Sequence, residues 1–470
     1  MVIIYRNFTI LLFFIKKIMK FQTINPVDNN ILNTYSFIED EKINDKLNLA
    51  NKAYEEWKSF SFSSRIEYIN KLISSMKEVL DILSYLITQE MGKPITQSRK
   101  EVNKSINLCK YYIDLEESIF FKNIYTEYEK SYIRFEPIGP ILGIMPWNYP
   151  IWQTIRYAIP NILLGNVIVL KPAINTVGCS ILLEKIFIES GFPKGIFQVF
   201  LIDIPKIELV IENPIIQGVT FTGSYLTGSH IGNIAGKHIK KSILELGGND
   251  AFIVMKDVKN IQETAKFATE SRLNNTGQSC ISAKRFIIDH SIVDDFIDLI
   301  IQEMKKYHQG DLYEESTNIG YIARSDLSEK LYKQYKNIIS SNRCKICLET
   351  KKNGNFFSPS LLKIEDNNLF FSEEIFGPIG LVYTFYNEKE IPSIVNATCY
   401  GLGASIWTKN LKKAEILSQK INTGMVFVNE IVKSDPRFPF GGVKKSGYGR
   451  ELSALSIKEF SNWKTIIIKK

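Results

Sequence analysis

GPILGIMPWNYP, residues 139–150, sets a short apolar run between a Gly-Pro start and a proline-bracketed asparagine. A run this short, with no polar alternation, reads as a strand buried on both faces of a parallel sheet. Three runs repeat the texture: NVIVLKP (166–172), FQVFLI (197–202) and GVTFTGS (218–224), each followed by a helical pattern. Strands alternating with helices predict a doubly wound α/β domain, whose ligand lies beyond the carboxyl ends of the strands. Residues 42–120 read as helices: 47–60 and 65–92 carry apolar residues at three- and four-residue steps, the second run ending at Gly92. Residues 121–137 alternate and read as a hairpin. After ELGGND (245–250) a second αβ region begins, with AFIVM and RFIIDHS as strands and 294–309 as a helix. NWKTIIIKK at the end reads as a strand, whose apolar edge calls for a partner.

The totals bound the class. The chain has 470 residues, 45% hydrophobic and 23% charged, with a net charge of +8; this describes a globular protein of at least two domains. Lysines are scattered rather than gathered with aromatics, which argues against nucleic acid. Six cysteines make no disulfide framework, and the expected compartment is the cytoplasm. The CxxC at Cys344 and Cys347 lies in a strand-like stretch, KICLE, with no second pair at zinc spacing. The four histidines include no HExxH, so no metal is expected. FTILLFFI near the N-terminus is too short to span a bilayer and is followed by Lys16 and Lys17. No membrane association is expected, and residues 1–18 read as an extension ahead of Met19.

Four stretches carry chemistry. In NNTGQSCISAKRFII (274–288), Cys280 follows a polar Gly-Gln-Ser approach, which reads as a flexible turn lifting the thiol to a cleft. Most single cysteines are inert packing residues, and a nucleophile needs access plus a base or dipole. Glu245, beside two glycines at the end of SILEL, has the place of a general base if burial raises its pKa; an isolated turn carboxylate is the plainer reading. Asn148, fixed between Pro146 and Pro150, offers an amide to an oxyanion. FTGS, with Gly223, Ser224 and Gly228, ends a strand and opens a helix, as phosphate-binding turns do. Lys171 ends another strand.

Taken in order, PWN, LKPA, FTGSxxxG, ELGG, GQSC, EEIFGP and PFGGVKKSGYGRE resemble the NAD(P)-dependent aldehyde dehydrogenase superfamily, from about residue 22 to 470. The 274–288 stretch and residues 427–452 are most similar to its succinate-semialdehyde dehydrogenase group. The resemblance implies a Rossmann-like cofactor domain (19–120 and 138–246, with 436–454 returning to it), an α/β catalytic domain (247–435) and a β oligomerisation arm (121–137 and 455–470). It implies a homodimer or homotetramer. Cys280 matches the nucleophile, Asn148 the oxyanion donor and Glu245 the base. Met145, Pro146, Trp147, Lys171, Gly223, Ser224, Gly228, Leu246, Glu374 and Phe376 match cofactor contacts. Trp152, Arg156, Ser434 and Arg437 are the candidates for a substrate with a distal carboxylate; for Arg156 an interdomain salt bridge stands beside that role. Ile174 occupies the position where many members carry a glutamate for the adenosine ribose, so NAD and NADP both remain open. Asn274 stands where some members place an arginine. Another aldehyde (aliphatic or glutamate semialdehyde) and a catalytically silent binding protein of the same fold also remain open at this point.

Overall fold

The computed structural model describes residues 19–365 and 373–470; the predicted extension over 1–18 lies outside the described residues. The quoted stretch forms the strand Pro140–Met145, and all six of its residues are buried. It lies inside a six-stranded sheet of spatial order Gly447–Tyr448, Lys241–Glu245, Gly218–Thr222, Pro140–Met145, Val167–Pro172, Phe197–Val199. Five strands are parallel, and the short Gly447–Tyr448 runs antiparallel at one edge. The chain winds outward from Pro140–Met145 to one side and then returns to its other side at Gly218–Thr222. This reversal is the topological switch point at which such sheets bind dinucleotides.

Four helices, Asp40–Trp57, Phe62–Glu78, Leu80–Met91 and Ile95–Ile113, pack with this sheet into the largest apolar core. The continuous helical pattern of 65–92 is broken in the structure. Val79 leaves helical geometry (φ −104°, ψ 17°) and a new helix starts at Leu80 with Asp81 in its first turn, where a carboxylate opposes the helix dipole. Apolar periodicity continues through the break because both helices bury one face, so the pattern alone does not reveal it.

The second sheet has seven strands: Cys344–Leu348, Ser360–Ile364, Ile379–Phe385, Arg285–Asp289, Ala251–Val254, Gly403–Trp407 and Met425–Val428. Only Cys344–Leu348 is antiparallel to its neighbour. Side chains alternate across it as a pleat demands. Ile253, Ile287 and Leu381 enter one core, whereas Phe252, Phe286 and Val382 enter the other. Finally, Ser461–Ile468 pairs along its full length with Lys130–Pro137, which also pairs with Phe121–Asn123. Among the described residues no helix is long and apolar enough to cross a membrane.

Candidate active site

Cys280 follows the helix Ile261–Leu273 and a tight turn, Asn274–Gly277. Asn275 and Thr276 take left-handed backbone conformations (φ 54° and 56°) that cost non-glycine residues energy. Side-chain bonds hold them there. Asn275 donates through Nδ2 to the carbonyls of Asn148 (2.9 Å) and Gln278 (3.1 Å), and Thr276 Oγ1 accepts from Gly320 N–H. Gly277 is also left-handed, and a Cβ there would lie 2.4 Å from the Gly377 carbonyl. Gln278 is fully buried: it donates to the Tyr321 carbonyl and accepts from Ala323 N–H. The flexible turn expected from Gly-Gln-Ser is therefore a rigid, cross-bonded one. The polar residues are polar because they satisfy buried backbone, not because they face water.

The turn delivers Cys280 to a cleft of about 180 Å³, lined also by Asn148, Trp152, Arg156 and Ser434. Burial pushes the thiol up to about 12, against the opposing pull of Lys284 and Arg156. Lys284 is itself buried and donates to the carbonyls of Ser279 (2.8 Å) and Cys280 (2.5 Å).

Asn148 enters from the end of Pro140–Met145. Its Nδ2 donates to the Gln278 carbonyl at 3.0 Å, leaving a second amide proton beside the cysteine loop. Its own carbonyl accepts from Lys93 Nζ at 3.0 Å. Lys93 pairs at 2.5 Å with Glu101, and both side chains are fully buried. The other oxygen of Glu101 accepts the N–H groups of Ile151 and Trp152 at the start of the helix Pro150–Leu164. One ion pair thus ties together the asparagine loop and the helix that carries Trp152 and Arg156.

Glu245 does not line this cleft. It ends the strand Lys241–Glu245, buried, and neither carboxylate oxygen has a hydrogen-bond partner. Burial, and then the charge of Glu451, hold its carboxyl well above the usual range, against Arg156 and Arg450. Arg156 makes a buried ion pair with Glu451 and lies over the Phe440 ring. Arg437 does not reach the cleft; its exposed guanidinium pairs with Asp435 at 2.9 and 2.6 Å.

The remaining candidates gather at the switch-point end of the first sheet. Met145 ends one strand and Lys171 stands one residue before the end of its neighbour, where its Nζ donates to the Pro172 carbonyl. Pro146 and Trp147 follow Met145, and Trp147 meets Phe376 edge-on at 5.8 Å. Gly223 and Ser224 open the helix Tyr225–Lys237, where Ser224 accepts from Thr227 N–H. A Cβ on Gly228 would fall 2.3 Å from Leu246 Cδ2, so the glycine lets Leu246 close under the first helical turn. Glu374 is turned inward: it accepts from Gly248 N–H at 3.0 Å and lies 3.5 Å from Lys284 Nζ. A helix N-terminus, an ammonium and the unpartnered, buried Thr222 Oγ1 fit a dinucleotide pyrophosphate and ribose.

Sequence reasoning missed Lys104, which lines the cleft from the helix Ile95–Ile113, as well as Lys93, Glu101 and Lys284. No motif marked them; a buried lysine in an amphipathic helix has the same spacing as a solvated one.

Fold and site together define a dinucleotide-dependent α/β enzyme in which Cys280 and the Asn148 amide line one cleft. Residues 14–466 match the profile of the aldehyde dehydrogenase family, and the chain belongs to that family. It is 37% identical to the probable succinate-semialdehyde dehydrogenase [NADP(+)] of Synechocystis sp., over 96% of this chain and all of that one. Identity is 34% to the succinate-semialdehyde dehydrogenase [NADP(+)] of Deinococcus radiodurans, over 95% and 94% of the two chains. Among solved structures, the succinic semialdehyde dehydrogenase of Streptococcus pyogenes in complex with NADP+ superposes with a TM-score of 0.92, at 32% identity, covering 96% of this chain and all of that one.

Proposed function

We propose that this aldehyde dehydrogenase oxidises succinate semialdehyde to succinate with NADP. The observation that carries the reading is the cleft at Cys280, walled by an amide and by cationic side chains. The named activities of the relatives support the substrate and the cofactor. So does Ile174, since a carboxylate there would repel a 2′-phosphate.

In the proposed reaction, Cys280 releases its proton to solvent and its sulfur adds to the aldehyde carbon, forming a thiohemiacetal. Asn148 Nδ2–H and the Cys280 N–H hold the oxyanion; each such donor is worth about 100- to 1,000-fold. A bound nicotinamide would supply the hydride acceptor, and loss of the hydride would leave Cys280 as a thioester. Glu245 then takes a proton from water, which attacks the thioester and releases the acid and the thiol. Met145–Trp147, Lys171, Gly223–Ser224, Gly228, Leu246, Glu374 and Phe376 would hold the cofactor. Trp152, Arg156 and Ser434 shape the substrate end.

The division into cofactor domain, catalytic domain and arm follows the boundaries given above. The arm joins copies of the chain into a homodimer or homotetramer. Exposed Phe121, Trp463, Ile467 and Ile468 on its strands support that assembly. Six free cysteines support a cytoplasmic home. The test is reduced-nicotinamide absorbance with succinate semialdehyde and NADP or NAD, beside a Cys280→Ala control. Formation with NADP that vanishes in the control is expected; no turnover of this aldehyde with either cofactor would overturn the proposal.

A further inference from the structure

Two cations face the cleft, and they are not equivalent. Arg156 already has a carboxylate partner, Glu451, in a fully buried pair, and it also faces Glu245. A substrate carboxylate would have to compete with groups that cannot leave. Lys104 differs. Its Nζ donates at 2.5 Å to a neutral hydroxyl, Ser434 Oγ, and lies 4.2 Å above the Trp152 ring. It forms no ion pair with a carboxylate among the described residues. The nearby acids are committed elsewhere: Glu101 to Lys93 and to two N–H groups, Asp435 to Arg437. A buried ammonium with a neutral partner costs folding energy, unless an anion completes it.

We propose that Lys104 Nζ, with Ser434 Oγ, binds the distal carboxylate of the substrate and sets the preference for semialdehyde acids over uncharged aldehydes. The inference rests on the semialdehyde reading given above. Arg156 then acts as a positioning residue, which holds Glu451 and shapes the wall.

The geometry has a pH consequence. Burial, and then the charge of Arg156, bring the Lys104 ammonium down to about 8; the charges of Glu101, Cys280 and Asp435 act in the opposite sense. Lys100, Lys433 and Glu270 also line the cleft. Above about pH 8 the free enzyme loses the Lys104 charge, and the KM for an anionic aldehyde rises, approaching tenfold per pH unit. The KM for butanal, a neutral aldehyde of the same chain length, lacks this component.

The experiment measures kcat/KM for succinate semialdehyde and butanal with NADP, across pH, in the wild type, Lys104→Met and Lys104→Arg. The expected result is a wild-type preference for the acid that falls about 10- to 100-fold in Lys104→Met, as for loss of a charged hydrogen bond. It recovers in part in Lys104→Arg. A preference that survives Lys104→Met undiminished overturns the proposal while leaving the semialdehyde reading intact. A wild type that prefers butanal overturns both. Should Lys104→Met fail to fold, the wild-type profile decides: a KM for the acid that tracks that for butanal through pH 8 refutes the assignment.

Discussion

At the scale of the residue, Cys280 and Glu245 share a feature: burial disfavours the charged form that each needs in the proposed reaction. Because the folded-state pKa of Glu245 lies above the ordinary carboxyl value, it becomes a base only as pH rises. Hydrolysis of the thioester should accelerate toward alkaline pH in the wild type, and Glu245→Gln should lose that limb; single-turnover acid release measured against pH checks this. Asn148→Ala should lower kcat about 100- to 1,000-fold with little change in cofactor affinity, as steady-state kinetics would show. Glu245 and Asn148 were legible as candidates because each sits where a short apolar run gives way to glycine or proline, and Cys280 because it follows a polar Gly-Gln-Ser approach. The rigidity around Cys280 was not legible: left-handed Asn275 and Thr276 are held by Asn148 and Gly320, which are distant in sequence.

At the scale of the element, the helix Pro150–Leu164 matters most, since it presents Trp152 and Arg156 and its first turn is tied to Glu101. Breaking the buried Lys93–Glu101 pair leaves an uncompensated charge, which costs about 3–5 kcal/mol. Lys93→Met should thus lower the unfolding free energy by about that amount in denaturant melts, and lower kcat through the displaced Asn148 carbonyl. Pro140–Met145, Val167–Pro172, Phe197–Val199 and Gly218–Thr222 in the first sheet, and Ala251–Val254 and Arg285–Asp289 in the second, could be read from their apolar runs and turn residues. The break at Val79 could not, because packing on one face continues through it. Nor could the outward turn of Arg437, which depends on a local pair with Asp435 two residues away.

At the scale of the molecule, helices and loops around two largely parallel sheets line the cleft, and a separate antiparallel sheet carries exposed apolar side chains. Ser461–Ile468 has one edge paired with Lys130–Pro137 and the other unpaired by any described strand. Such an edge attracts another chain. If copies assemble through this edge as proposed, Ile467→Lys should give smaller species than the wild type in sedimentation velocity while leaving the fold intact by circular dichroism. An unchanged sedimentation coefficient would argue that copies meet elsewhere. The central claim, that Cys280 carries the acyl group between the two half-reactions, is tested most directly by trapping that group. Glu245→Gln would be mixed with succinate semialdehyde and NADP, quenched in acid, and digested for mass spectrometry. The account predicts a succinyl group on the Cys280 peptide, appearing with one equivalent of reduced cofactor. Reduced cofactor formed in a burst with Cys280 unmodified, or the acyl group on another residue, would contradict it.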